Sequence, residues 1–172
     1  GSSRVLKAMN RHYDREKYLE LVRYAKSVMP DLVLTSDVIV GFPGETEEEF
    51  EETISLIQEV RYDSLFTFIF SPRPGTPAAN MEDLTPKEEK SRRFDRLCAV
   101  QNGISEEIHE GYVGKTFRCL VDGVDRDCLT ARTEGGRLVR FTGCESLIGT
   151  YQNLKITGSN TWSLTGALEC AN

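Results

Sequence analysis

The stretch VLTSDVIVGFPGETEEE at residues 33–49 decides the fold of the first part of the chain. Val33–Val40 is rich in β-branched residues, which predicts a buried strand, and the glycines and proline of residues 41–44 predict a tight loop after it. Thr46 with Glu49 three residues later predicts a capping box, so a helix begins there. The sequence therefore predicts a strand, a loop and a helix in succession.

A second apolar strand, SLFTFIF, is predicted at Ser64–Phe70. A strand, a helix and a strand in this order form a βαβ unit, so the two strands are expected to be parallel. Further helices are predicted at residues 15–29, where Pro30 ends the helical periodicity, and at residues 85–109. Two parallel strands and three helices cannot cover both faces of a parallel sheet. We therefore expect the first part of the chain to belong to a larger α/β barrel.

The pattern of the sequence changes at Gly111, where the second part of the chain begins. It contains five short β-rich runs about ten residues apart, separated by turn dipeptides such as Asp-Gly and Thr-Gly: 116–122, 127–132, 137–141, 151–157 and 161–167. Five short strands at this spacing are typical of a small all-β barrel or sandwich. The sequence thus predicts two domains, at residues 1–111 and 112–172.

Charge is distributed unevenly between these two parts. The chain of 172 residues has a net charge of −6, which divides into −7 for residues 1–111 and +1 for residues 112–172. An acidic total argues against binding nucleic acid by bulk charge, although it allows a local basic face on the second part. No apolar stretch is long enough to cross a bilayer and no signal peptide is recognisable. We expect a cytoplasmic protein with no membrane partner.

The five cysteines follow no metal-binding or disulfide pattern. Their number is odd, and no two of them have C-x-x-C spacing. All five lie in the second half of the chain: Cys98, Cys119, Cys128, Cys144 and Cys170. Reduced thiols with a structural role fit this pattern better than a disulfide framework or a zinc site. No metal ligand is predicted.

Three segments together resemble the C-terminal half of the radical S-adenosylmethionine (SAM) core of the methylthiotransferases. They are SSRVLKAMNR at residues 2–11, SDVIVGFPGET at 36–46 and FTFIFSPRPGTPAA at 66–79. The third segment is similar to the branch that acts on isopentenyladenosine in tRNA. Residues 112–168 resemble the TRAM domain that follows this core, with TWSLTG at residues 161–166 as one signature. The resemblance implies an α/β fold, a partial (β/α) barrel forming the back half of a radical SAM core, followed by a small all-β barrel (TRAM, OB-like).

The loop after the first strand is the first candidate for binding SAM. A parallel barrel binds its ligands at the C-terminal ends of its strands, which is where Gly41 and Gly44 lie. Glycines let the backbone approach a ligand closely, and Pro43 fixes the turn. An ordinary turn between a strand and a helix, without a ligand, remains the alternative.

The resemblance implies three more SAM contacts. Arg11 would pair with the SAM carboxylate, and Asp37 would accept a hydrogen bond from the ribose. Ser71 would contact the adenine through its backbone. A surface arginine and a buried aspartate with a structural hydrogen bond are the respective alternatives for Arg11 and Asp37.

The resemblance also implies cofactors that this chain cannot hold. The family binds one [4Fe–4S] cluster through a CxxxCxxC motif and a second through three cysteines of a preceding domain. Such clusters need thiolate ligands, and the five cysteines match none of those positions. We therefore expect a fragment with no catalytic residue of its own, inactive alone, that binds no cofactor tightly. Its expected partners are the missing N-terminal part of the enzyme and the tRNA anticodon stem-loop.

The second part of the chain carries the candidates for binding RNA. Basic residues on strands can hold phosphates and aromatic rings can stack on unpaired bases, which gives this set: Arg132, Arg137, Arg140, Phe141 and Lys155. We expect Trp162 in the core rather than at the surface. Arg73 either faces RNA or braces its own loop, and His12 and His109 are expected to be ordinary histidines.

Two other functions remain open from the sequence. The chain could be a self-standing RNA-binding module without a catalytic role. It could also belong to a methylthiotransferase that acts on another substrate, such as threonylcarbamoyladenosine in tRNA or a ribosomal protein.

Overall fold

The computed structural model of the chain describes residues 1–169 and divides into two compact units. The units are Gly1–Ile104 and Ser105–Asn172, so the division falls ahead of residue 111, inside the last helix of the first part. The final turn of that helix carries His109, which is buried and contacts Asn160 of the second unit. This contact assigns the end of the helix to the second unit.

The first unit contains helices around a two-stranded sheet. In chain order its elements are α1 (Ser3–Ala8), α2 (Arg15–Val28), β1 (Thr35–Val40), α3 (Glu47–Val60), β2 (Ser64–Ile69), a short 3₁₀ helix (Pro77–Asn80) and the part of α4 (Lys87–Glu110) up to Ile104. The helix α1 has no counterpart among the predicted elements because it is short and buries only Val5. The capping box that begins α3 is present, with the hydroxyl of Thr46 accepting from the Glu49 N–H.

The strands β1 and β2 are parallel, which confirms the βαβ unit. Their register pairs Asp37 with Phe66 and Val40 with Ile69. One face of the sheet carries Val40, which is fully buried, whereas the other face carries Asp37 and Phe66. Phe66 is 62% exposed, so this second face is open within the first unit. The open face agrees with the expectation that the sheet belongs to a larger barrel.

Buried apolar residues of α3 and α4 form much of the core of the first unit. Phe50 and Ile57 of α3 and Leu97 of α4 are completely buried. Phe50 and Ile57 are separated by two helical turns and therefore lie on one face of α3. The amide of Gln101 in α4 donates to the carbonyl oxygen of Tyr62 at 2.8 Å, which fixes α4 against the segment before β2.

The second unit is a closed five-stranded barrel. Its strands are β3 (Thr116–Asp125), β4 (Cys128–Arg132), β5 (Leu138–Phe141), β6 (Tyr151–Ser159) and β7 (Leu164–Leu168). They pair in the order β3-β4-β5-β7-β6, and β6 closes the barrel on β3. Among the described pairs of the barrel strands, only the β5–β7 pair is parallel. This is the OB-like barrel that the sequence predicts.

Nine buried residues fill the barrel, with all five strands contributing: Cys119, Val121, Leu129, Ala131, Val139, Phe141, Leu154, Ile156 and Leu164. Successive side chains of a strand point to opposite faces, so the alternate residues between these nine face outward.

Within residues 1–169, no helix is both long enough and apolar enough to cross a membrane.

Candidate functional site

Two of the three family-like segments meet at the C-terminal edge of the β1–β2 sheet. The Phe70 N–H donates to the Val40 carbonyl oxygen at 2.8 Å, so the loops after β1 and β2 leave the sheet side by side. The rings of Phe42 and Phe70, one in each loop, contact edge to face with centroids 5.2 Å apart. The parallel register of the strands is therefore what brings the two loops together.

Gly41 is required by packing as well as by backbone conformation. It is buried, its φ is +73°, and its N–H donates to Glu45 Oε2 at 2.8 Å. A Cβ at this position would lie 2.7 Å from Cγ of Lys90, which is too close for real atoms. Lys90 itself is buried against Gly41 and pairs with Asp83. The glycine thus serves the contact between this loop and α4.

A buried carboxylate braces the same loop from inside. Glu45 lies 3.5 Å from the guanidinium of Arg93, and Arg93 also donates to the Glu45 carbonyl oxygen at 3.1 Å. Burial raises the pKa of Glu45, against the opposing effect of the Gly41 N–H and the Arg93 charge. Removing Arg93 would take away the guanidinium that the buried Glu45 contacts. Removing Glu45 would leave Arg93 its contacts with Glu47 and Glu89, each at 3.0 Å.

Gly44 connects this loop to the first family-like segment, residues 2–11. Gly44 is exposed with φ +75°, and its carbonyl oxygen accepts from Arg4 Nη2 at 2.6 Å. Arg4 also pairs with Glu49 and lowers the pKa of that carboxyl group to about 2. Residues 2–11 are therefore held against the loop after β1, so all three segments lie together in the first unit.

The remaining predicted SAM contacts are at the surface of the first unit. Arg11 and Ser71 are both exposed, and the Arg11 N–H donates to the Leu6 carbonyl oxygen at 2.9 Å. The expectation that Asp37 is buried is wrong, because Asp37 lies on the open face of β1 beside Phe66. Because the exposed carboxylate stays in contact with water, it needs no hydrogen-bond partner within the protein, and a ligand can reach it.

The described cysteines do not fit an iron–sulfur cluster. Cys119 is in the barrel core, where burial raises its pKa to about 11, and burial also raises the pKa of Cys98 in α4. No three metal-ligating side chains within residues 1–169 are grouped so as to hold a metal ion. Cys170 lies outside the described residues.

Two of the five predicted RNA contacts are wrong, because their side chains point into the second unit. Phe141 is only 2% exposed and belongs to the barrel core, so its ring has no face for a base. Arg137 is also buried, with its guanidinium 4.5 Å from the centroid of the Tyr112 ring. Burial lowers the pKa of Arg137 to about 10.

Arg132 and Arg140 do lie at the surface, each beside an aspartate. Arg132 Nε donates to Asp122 at 3.0 Å, and Arg140 donates to Asp125 at 3.0 and 2.8 Å. Arg140 also donates to the Ser163 hydroxyl at 2.8 Å. These ion pairs orient the two guanidinium groups, and they are exposed enough to exchange for phosphate contacts.

Trp162 is not in the core, contrary to the prediction from its sequence. It is 74% exposed in the loop between β6 and β7. The side chain of Asn160 accepts from the N–H groups of Trp162 and Ser163 at 2.8 and 2.9 Å, which turns the chain outward. An asparagine side chain that accepts from the backbone N–H two residues later forms such a turn, so Asn160 is its local signal in the sequence. The loop therefore presents the indole to solvent next to the Arg140–Ser163 contact.

Lys155 lies on a different side of the barrel, on the β3–β6 pair. It is exposed and pairs in register with Thr116. On the same surface Arg118 stacks on Tyr151, with the guanidinium carbon 4.0 Å from the ring centroid. Sequence reasoning missed Arg118 and Tyr151. Tyr151 lies four residues before Lys155 on β6, and Arg118 lies two residues after the partner of Lys155 on β3, so strand alternation places both on the same outer face as Lys155.

The chain is similar to known proteins along nearly its whole length. A family model described as the radical SAM superfamily matches residues 1–57. A tRNA-2-methylthio-N(6)-dimethylallyladenosine synthase of Clostridium botulinum (strain Langeland) is 52% identical over 96% of the chain, and the match covers 38% of that protein. Enzymes of the same name from Acetivibrio thermocellus and Geobacillus thermodenitrificans are 48% and 50% identical over 98% of the chain, which covers 36% and 33% of them. The chain thus spans little more than a third of these homologues.

Proposed function

We propose that this chain is part of a radical SAM tRNA methylthiotransferase, which adds a 2-methylthio group to isopentenyladenosine at position 37, next to the anticodon. The observation that carries the proposal is the identity of about half of all residues, running through both units, with synthases of that name. The radical SAM match in the first unit supports the same class of chemistry. We infer a cytoplasmic enzyme, since its substrate is tRNA.

The first unit would contribute one side of the SAM site. Gly44 and Ser71 are exposed in the two loops that meet at the C-terminal sheet edge, and Asp37 lies on the open face of the same sheet. Gly41 is buried against Lys90, so it would shape the first loop. Ligands of parallel α/β barrels bind at that edge, so the placement fits a nucleoside-containing cofactor. Arg11, which is exposed in the connection between α1 and α2, would pair with the SAM carboxylate.

The remaining cofactor ligands would come from the rest of the enzyme. Two [4Fe–4S] clusters belong to the proposed activity, and bound SAM would supply the radical chemistry. The described cysteines of this chain do not fit either cluster, so we propose that the N-terminal part of the same enzyme carries them. We expect the chain alone to be inactive and to bind SAM weakly.

The second unit would bind the tRNA anticodon stem-loop. OB-like barrels bind nucleic acid on one curved face and through the loops at its edge, which correspond here to β4–β5 and to the loop between β6 and β7. Arg132 and Arg140 lie on that face and Trp162 lies in that loop. Guanidinium groups would hold phosphates, and the indole would stack on an unpaired base.

A titration of anticodon stem-loop RNA into the 172-residue chain tests the RNA-binding role. We expect weak, salt-dependent binding, and weaker binding for the double variant Arg132→Ala, Arg140→Ala. Arg92→Ala on α4 is the matched control, because Arg92 is also an exposed arginine paired with a carboxylate. Equal affinity of all three proteins would refute the proposed RNA face.

Nucleoside analysis of tRNA tests the substrate. Deleting the gene should abolish 2-methylthio-isopentenyladenosine and leave isopentenyladenosine in its place. Loss of a modified threonylcarbamoyladenosine, or of a ribosomal-protein modification, would instead assign the chain to another methylthiotransferase. An unchanged set of nucleosides and proteins would favour a self-standing RNA-binding module, which the separate compact barrel would permit.

A further inference from the structure

The β3–β6 surface of the barrel carries a second set of residues suited to nucleic acid. Four outward-facing side chains of neighbouring rows form what we call the β3–β6 patch: Arg118, Tyr151, Asn153 and Lys155. The register pairs Arg118 with Asn153 and places Tyr151 on the next row, diagonal to Arg118. The patch therefore combines an aromatic ring, two cations and an amide on one sheet surface.

The geometry of Arg118 and Tyr151 is that of a preformed stacking pair. The guanidinium carbon lies 4.0 Å from the ring centroid, and the tyrosine remains 54% exposed. Bases in single-stranded RNA stack on aromatic rings and on guanidinium planes alike. Because the two side chains already hold one another, little rotamer freedom remains to be lost when a base stacks on them.

The charge of the patch favours phosphate. Within residues 1–169, Arg118 has no carboxylate ion-pair partner, whereas Arg132 and Arg140 each pair with an aspartate. Lys155 is exposed one row beyond Arg118. In the same row, the hydroxyl of Thr116, the register partner of Lys155, donates to Glu169 at 3.3 Å. A phosphate that binds Arg118 therefore displaces no ion pair within the described chain.

The patch is continuous with Arg132, which the sequence predicts to bind RNA. Leu120 of β3 pairs with Tyr151 on one side and with Arg132 on the other. These three residues form one row across β6, β3 and β4, and neighbouring strands are about 4.8 Å apart. A single strand of RNA can thus follow the barrel surface from Lys155 past Tyr151 to Arg132.

We propose that Tyr151 and Arg118 form a base-stacking site for an unpaired nucleotide of the bound RNA, with Lys155 and Arg118 holding its flanking phosphates. This inference rests on the proposed RNA-binding function of the barrel. It extends the RNA contact from the β4–β5 face onto the β3–β6 pair and names residues that the family-like motifs do not include.

Fluorescence anisotropy with a labelled anticodon stem-loop RNA, at several salt concentrations, tests the site in the 172-residue chain. Tyr151→Leu should weaken binding roughly 5- to 150-fold, and Tyr151→Phe should bind almost as the wild type does, because stacking needs the ring and not the hydroxyl. Arg118→Ala should weaken binding and reduce the slope of log affinity against log salt by roughly 1. Tyr24→Ala, which removes an exposed tyrosine of α2, is the matched control and should change nothing.

The outcomes separate this site from the function on which it rests. If the wild-type chain binds no RNA, the proposed RNA-binding role and the stacking site are both overturned. If the wild type binds and both Tyr151→Leu and Arg118→Ala bind equally well, the stacking site alone is overturned. A loss for Arg118→Ala with none for Tyr151→Leu would also overturn it, since that pattern indicates attraction of any polyanion.

Discussion

His109 at the end of α4 lies 2.7 Å, through Nδ1, from the carbonyl oxygen of Asn160 in the loop between β6 and β7. A carbonyl oxygen only accepts, so Nδ1 of His109 carries the hydrogen. The side chain of the same Asn160 accepts from Trp162 and Ser163, and Ser163 accepts from Arg140. The buried histidine is therefore linked through one asparagine to the exposed indole and to a surface arginine.

Replacing His109 should loosen this loop. We expect His109→Ala to lower the free energy of unfolding by about 1–3 kcal/mol, because the Asn160 carbonyl oxygen loses its donor and the buried His109 ring is removed. Urea denaturation measures the change, with His12→Ala, an exposed histidine, as the control. An unfolding free energy equal to that of the wild type would show that the contact contributes nothing to the stability of the barrel.

Trp162 should report RNA binding directly. It is the only tryptophan of the chain, and its exposure predicts emission typical of indole in water. Saturation with anticodon stem-loop RNA should quench this emission, and Trp162→Ala should cost about 1–3 kcal/mol of binding free energy, with a smaller loss for Trp162→Phe. Emission that stays constant at saturating RNA would exclude stacking on this residue.

The two glycines of the loop after β1 should respond differently to alanine. Both have positive φ, so each substitution costs about 1–2 kcal/mol in backbone strain. Gly41→Ala should cost about 1–3 kcal/mol more than Gly44→Ala, because its Cβ would collide with Lys90 and a Cβ on Gly44 would meet nothing within 4 Å.

Denaturation of the two single variants and of Gly41→Ala combined with Lys90→Ala measures this difference. The second substitution should recover part of the loss, since it removes the atoms that collide. Equal destabilisation by Gly41→Ala and Gly44→Ala would mean that the loop shifts freely away from Lys90.

The Arg4–Glu49 pair should make stability depend on pH in the acidic range. The pKa of Glu49 falls from 4.5 to about 2 in the folded chain, chiefly through its hydrogen bond with Arg4. A lowered folded pKa stabilises the fold above the unfolded value, and this contribution is lost as pH falls through the folded value. Arg4→Ala should therefore destabilise the chain by about 1 kcal/mol at pH 6, a small effect because Arg4 is largely solvated, and by progressively less as the pH falls toward 2.

Thermal unfolding of the wild type and of Arg4→Ala across this pH range tests the sign. Glu49→Gln, which cannot titrate, should abolish the pH dependence of the difference. A gap between wild type and Arg4→Ala that widens toward pH 2 would contradict the assignment.

The thiols should differ in reactivity. Cys144 is exposed and hydrogen bonds with Ser146 lower its pKa, whereas burial raises the pKa of Cys119 to about 11. Because the thiolate is the reactive form, iodoacetamide at pH 8 should label Cys144 quickly and leave Cys119 unmodified until the barrel unfolds. Peptide mapping by mass spectrometry identifies the labelled residues. Early labelling of Cys119 would mean that the barrel opens readily.

The local elements of this protein follow from its sequence. β-branched runs, glycine–proline loops and a capping box predict β1, α3 and β2, and the turn dipeptides predict five short strands. These signals are local, because each depends on backbone preferences and hydrogen bonds among residues close in the chain. The similarity of three segments to one enzyme family also needs only their order and spacing.

The side of the barrel on which each residue lies was decided by the tertiary structure. Arg140 and Phe141 are consecutive, so they cannot both face outward, and Arg137 shares the inward side with Phe141. Alternation alone shows that two faces exist; strand pairing and closure determine which face becomes the core. The exposure of Trp162 depends on a turn stabilised by Asn160. That of Asp37 depends on which strands and helices lie beside β1, and no residue pattern within β1 carries that information.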